Sequence, residues 1–159
     1  MIPVLLMRQT QGVADMKRAG FTLVETVIVI VLIGILTAFA APRIGSAIDR
    51  RNISGARVSI TTLNAKARAT AVQRGRPTAL VRNGDTFFIL ARQPLTGAVD
   101  TVDRRNMYDA FKVTIGASQD TLRYDPRGLG LQNATSSFVI RRSGYADTVR
   151  ISAIGGLIR

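Results

Sequence analysis

At 159 residues the chain has room for one compact domain and an appendage, because a single core is normally built from about 100–150 residues. It has no Cys and no His, which removes thiol nucleophiles, imidazole bases and the usual zinc ligands, so the reading is of a non-enzymatic chain with no cofactor and no metal. A net charge of +12, from 19 Arg and 3 Lys against 9 Asp and a single Glu, points to an anionic partner or to solubility, and the arginines are scattered along the chain.

The first 20 residues hold a short apolar run at 2–7 with no clear purpose, then the basic stretch Met16-Lys17-Arg18-Ala19-Gly20. Initiation at Met16 would reduce this preface to MKRAG. Residues 21–41, FTLVETVIVIVLIGILTAFAA, carry one charge and, at about 1.5 Å per residue, would cross a hydrocarbon layer of about 30 Å as a helix. The charge is Glu25, the only glutamate of the chain. An acid near mid-membrane costs ~2.5–3.5 kcal/mol, so it calls for compensation by the positive end of the helix dipole or by a cationic partner. A bland alternative is that Glu25 marks the membrane edge and is solvated by headgroups.

A basic leader ending in Gly20, directly before Phe21-Thr22-Leu23-Val24-Glu25, resembles the class III prepilin signal of type IV pilins and type II secretion pseudopilins. That resemblance implies cleavage between Gly20 and Phe21 by a prepilin peptidase, and N-methylation of Phe21 by the same peptidase/N-methyltransferase. Phe21 becomes the first mature residue and Glu25 the fifth, where the family's acid pairs with the terminal amine of a neighbouring (pseudo)pilin subunit. Gly34 and Pro42 fall where pilin helices carry a glycine and a helix-loosening proline. An internal proline removes a hydrogen bond and clashes with the turn before it, which predicts a kink or frayed segment between them. The competing reading is that Pro42 ends the membrane helix. Ala38-Phe39-Ala40 before Ala41-Pro42 also looks like an ordinary signal-peptidase site, but the apolar stretch is longer than the usual ~7–15 residue core and contains Glu25. Basic residues flank the span on both sides, Lys17 and Arg18 before it and Arg43, Arg50 and Arg51 after it. The resemblance sets the orientation: a single pass through the inner membrane, a cytoplasmic N-terminus and a periplasmic head.

Residues 42–75 place Ile48, Gly55, Ala56, Ile60, Leu63, Ala67 and Ala71 at spacings near three and four, with Arg50, Arg51, Arg57 and Arg68 on other faces. This predicts an amphipathic continuation of the helix, stopped at Gly75-Arg76-Pro77. Residues 76–159 read as a β-rich head. Segments 78–82 and 86–91 form a hairpin about Asn83-Gly84, and further strands are expected at 111–115, 121–124, 137–142 and 148–153, the last two joined around Ser143-Gly144-Tyr145-Ala146. Residues 94–106 are expected to be a long loop. Asp100, Asp103 and Asp109 lack a calcium-loop pattern.

Asp125-Pro126-Arg127-Gly128 is a turn by its chemistry. A strand leading into that turn, with a final VRISAIGG, resembles the head of GspH/FimT-type minor pilins. The fold class expected is therefore α+β, a long N-terminal helix packed on an antiparallel β-sheet or β-sandwich head.

The resemblance implies a structural filament subunit of a type II secretion pseudopilus or type IV pilus, acting near the tip or in assembly initiation. The alternative is a DNA-binding minor pilin of an uptake pilus, using Arg141, Arg142, Arg150 and Arg159. The partners implied are the prepilin peptidase, other (pseudo)pilin subunits and the inner membrane, with DNA on the alternative reading.

Overall fold

The computed structural model describes residues 20–158; the leader residues Met16, Lys17 and Arg18, and Arg159 at the other end, lie outside them. Two compact units divide the chain, residues 1–40 and 41–159. Helix α1 spans Leu23–Arg74. It runs through Pro42, so the proline neither ends nor melts it.

In the first unit the described side chains of α1 are exposed on every face, and an 18-residue window of mean hydropathy 2.6 has none of its residues buried. A helix apolar all round has no face that prefers water, so its burial must come from lipid or protein outside it.

In the second unit α1 buries Ile53, Ala56, Ile60, Leu63, Ala67 and Ala71, a stripe at spacings of three and four. Ile48, expected in this stripe, is exposed, and Ile53 takes the role instead. The helix stops at Gly75 (φ 58), whose amide donates to the Val72 carbonyl while the Arg76 amide donates to Ala71. This is a Schellman motif, and Pro77 follows it.

The head is built from β1 (Thr78–Asn83), β2 (Thr86–Arg92), β3 (Val99–Asn106), the short helix α2 (Met107–Phe111), β4 (Thr114–Ala117), β5 (Thr121–Tyr124), β6 (Ser136–Arg142), β7 (Tyr145–Ile151) and β8 (Leu157–Ile158). All pairings are antiparallel, in two four-stranded sheets ordered β3-β2-β1-β5 and β4-β6-β7-β8. Strand alternation sends Leu80, Phe87, Ile89 and Leu122 of the first sheet and Ile115, Phe138, Ile140, Val149 and Ile151 of the second into one core with the α1 stripe. The sheets meet where the Phe87 and Phe138 rings lie 5.6 Å apart. The α+β architecture, a long helix against antiparallel sheets, is the one expected.

Several local expectations are corrected. Residues 99–106 form strand β3 rather than part of a loop. Asp100 and Asp103 stand where an edge strand would ordinarily turn apolar residues toward its neighbours, and they pair instead with Arg74 (3.4 Å) and Lys66 (2.7 Å) of α1. That polar pattern hides the strand. Phe111 closes α2 instead of opening a strand, since Asn106 caps α2 by accepting from the Tyr108 and Asp109 amides, and Lys112 ends it in the left-handed region (φ 53). The first hairpin turns on Gly84-Asp85, one residue later than expected. The second turns tightly on Ser143-Gly144, both at positive φ as a type I′ turn requires, so β7 begins at Tyr145.

Candidate functional site

The start of α1 is built by its own sequence. Thr22 precedes the first helical residue, and its Oγ1 accepts from the Glu25 amide (3.2 Å), placing Glu25 at the third helical position. Thr-x-x-Glu is the spacing of a capping box, in which the acid stands where unpaired amides and the helix dipole favour negative charge. Thr26 Oγ1 donates back to the Thr22 and Leu23 carbonyls, closing the turn. Gly20 and Phe21 lie just before the helix and are exposed, Phe21 at 80%. The expected processing bond therefore sits in accessible chain beside the lone carboxylate. Sequence reasoning misses the cap at Thr22, although that spacing announces it. At Gly34 an added Cβ would meet, among the described residues, nothing within 4 Å beyond its own helix backbone.

In the head, the two C-terminal motifs converge on one turn of α1. Asp125 Oδ1 accepts from the Arg127 and Leu129 amides, shaping the D-P-R-G turn, and Gly128 sits at φ 78 against Val72 and Arg68. Arg68 Nε donates to the Gly128 carbonyl (2.9 Å), and Arg68 Nη1 and Asn64 Nδ2 both donate to the Gly155 carbonyl. Asn64 Oδ1 accepts from the buried Tyr124 hydroxyl, whose ionisation burial pushes upward. These motifs fasten sheet to helix; both loops are held by residues four apart on one helical face.

Of the four arginines expected for DNA, Arg159 lies outside the described residues, and the other three do not form a single patch. Arg142 donates to Asp49 (2.6 Å) and to the Phe111 and Lys112 carbonyls, fastening the β6 end to α1 and α2. That contact holds the Asp49 carboxyl below the usual carboxylate range. Arg141 and Arg150 are exposed on the same outward face of their sheet, but the register places Arg141 opposite Ala146 and Arg150 opposite Ser137. They are four residues apart along the ladder, about 13 Å at 3.3 Å per residue. Among the described residues no three His, Cys, Asp or Glu side chains come together as a metal site.

An apolar N-terminal helical stretch exposed in all its described side chains, with one acidic residue in its capped first turn, together with a two-sheet antiparallel head, defines the class of pilin-like subunits. Residues 15–41 match the prokaryotic N-terminal methylation motif, and residues 58–155, more than half of the chain, match the family described as Type II transport protein GspH. The chain belongs to that GspH family. It is 42% identical over 64 residues to the type IV narrow pilus major component PilA5 of Thermus thermophilus, covering 40% of this chain and 55% of that relative. The chain thus spans about half the length of the curated relative it matches. Two crystal structures of the type IV minor pilin FimU of Pseudomonas aeruginosa superpose at 16% identity. One has a TM-score of 0.55 over 69% of this chain and 88% of that chain, the other 0.53 over 67% and 90%. At that identity the likeness carries the fold.

Proposed function

We propose that this chain is the precursor of a minor pilin or pseudopilin, held in the inner membrane by residues 21–41 with its N-terminus in the cytoplasm and its head in the periplasm. A prepilin peptidase cuts between Gly20 and Phe21 and methylates the new amine, and the mature subunit enters a type II secretion pseudopilus or type IV pilus, near the tip or at initiation. The observation that carries this reading is an apolar stretch of α1, residues 23–40, with every described side chain exposed and its one acidic residue, Glu25, at the third helical position. Such a helix needs lipid first and other helices afterwards, and its acid needs a cation that the described residues beside it do not supply.

In this reading Glu25 pairs with the terminal amine of an adjoining subunit, which sets the axial register. Gly34, with open space around it, gives a neighbouring helix room for close approach, and Pro42 bends α1 where it leaves the bilayer. Glu25→Ala tests the assignment in cells. Processing should proceed as in the parent chain, while recovery in sheared filaments should fall at least ~10-fold, the scale of one lost charge-assisted contact in an apolar setting. Undiminished recovery contradicts the pairing role.

A further inference from the structure

Of the acids in residues 41–158, all but the exposed Asp109 are spent internally. Asp49, Asp100, Asp103, Asp120, Asp125 and Asp147 each sit in an ion pair, and the Asp85 carboxylate accepts from the Ile115 amide. The positive surplus is therefore carried by side chains with no carboxylate partner among the described residues. Two of them, Lys112 and Arg141, gather at one place beside Arg142, which is paired with Asp49. A groove of about 580 Å3 beside the β6–β7 turn is lined by Tyr108, Lys112, Arg141, Arg142, Ser143 and Tyr145, among others, and by no carboxylate. Lys112 Nζ lies 5.0 Å over the Tyr108 ring, and the Arg50 guanidinium lies 5.1 Å over Tyr145. Arg43 and Arg51 are exposed on the same stretch of α1 as Arg50.

The position of this cluster in the chain limits how far it can lie from the apolar stretch. Arg50 follows Ala41, the last residue of the apolar stretch, by nine residues. Even a fully extended chain could carry it no more than about 30 Å away, and a helical path only about 14 Å, whatever angle the two units adopt. Tyrosines and basic residues within that reach of a hydrocarbon span are the composition of a membrane interface, where each Lys or Arg near an anionic surface strengthens attraction about fivefold. A single nucleic-acid strand fits less well. One face of each tyrosine already carries a cation, leaving it closed to a stacking base, and the next exposed arginine on that sheet face, Arg150, is about 13 Å further along the ladder.

We infer that the groove beside the β6–β7 turn, with Arg43, Arg50 and Arg51, is a docking surface for the anionic lipid headgroups of the bilayer that holds the precursor. This rests on the membrane-held reading above. The phosphodiester of a lipid such as phosphatidylglycerol sits between Lys112 and Arg141, with the tyrosine hydroxyls able to donate to it. The contact keeps the β6–β7 turn at the headgroup layer until the subunit leaves the membrane for a filament.

The full chain, reconstituted in vesicles of phosphatidylcholine alone or with phosphatidylglycerol, tests this by amide hydrogen exchange. Exchange at residues 141–146 should be slowed roughly tenfold by phosphatidylglycerol at low salt. That slowing should be lost in the double variant Lys112→Gln, Arg141→Gln, while core strand β1 keeps its protection in both lipids as the check that the variant is folded. Equal exchange in the two lipids, from a chain that floats with both, overturns the docking surface and leaves the membrane-held reading standing. Failure to float with either overturns the reading beneath it. Slowing by inorganic phosphate or by a single-stranded oligonucleotide in phosphatidylcholine, with none from phosphatidylglycerol, reassigns the groove and overturns the lipid proposal.

Discussion

Residues 23–40 and residues 41–158 are both rich in aliphatic side chains, yet they treat them in opposite ways. The first set leaves every described side chain exposed, whereas the second closes a core around Ile60, Phe87, Leu122, Phe138 and Ile140. Hydrophobicity alone therefore does not say where burial occurs. What separates the regions is pattern. In the head, apolar residues recur at helical or alternating spacing with polar faces between, so the chain can satisfy them itself; in residues 23–40 they cover the helix all round, so only a partner outside the chain can.

The sharpest way to break this contrast is to remove matched apolar side chains from the two regions. Phe138→Ala should destabilise the head by about 3–5 kcal/mol, the cost of a buried aromatic and its cavity, read as a fall in the head's unfolding midpoint in detergent. Leu32→Ala, in the exposed stretch, should leave that midpoint unchanged. A comparable drop from Leu32 would mean that the stretch is packed on the head after all.

A smaller effect separates two neighbouring arginines. Arg142→Ala should cost about 1–2 kcal/mol, because the Phe111 and Lys112 carbonyls lose their shared donor. Arg141→Ala, exposed and without a carboxylate partner among the described residues, should stay within about 0.5 kcal/mol of the parent. Equal losses at the two sites would contradict the division between fastening and surface arginine.

Acid should act on the head through its aspartates. Arg142 holds Asp49 low, Lys66 holds Asp103 low, and the Leu129 amide followed by Arg127 holds Asp125 low. A carboxyl lowered in the folded state contributes stability that is fully present above its unfolded value, near ~3.9, and is lost as pH falls through the folded value. The midpoint should therefore be insensitive to these groups above about pH 5 and decline below about pH 4. In Asp49→Asn the decline should be shallower; an identical slope would remove Asp49 from the account.

Much of this organisation is legible in the residues. The switch from an unbroken apolar run to a three-four stripe separates the exposed and packed stretches of α1, and the Gly75-Arg76-Pro77 stop, both hairpins and the D-P-R-G turn are chemically explicit. What is not legible depends on partners distant in sequence. Strand β3 carries Asp100 and Asp103 where apolar residues would announce a strand, and only Arg74 and Lys66 on α1 make sense of them. Arg142 reads like its neighbour Arg141 until Asp49, 93 residues away, claims it. At the N-terminus the cap at Thr22 is written as Thr-x-x-Glu, but Glu25 stands out as a charge in an apolar run, which masks its second role as a helix-start residue.

The most direct test is the mass of the mature N-terminus isolated from membranes. A chain beginning at Phe21 and heavier by one methyl group is what a membrane-held filament subunit requires. A chain beginning at Ala41, cut behind Ala38-Phe39-Ala40, would show that the apolar helix is discarded, and with it the carboxylate on which assembly is proposed to turn.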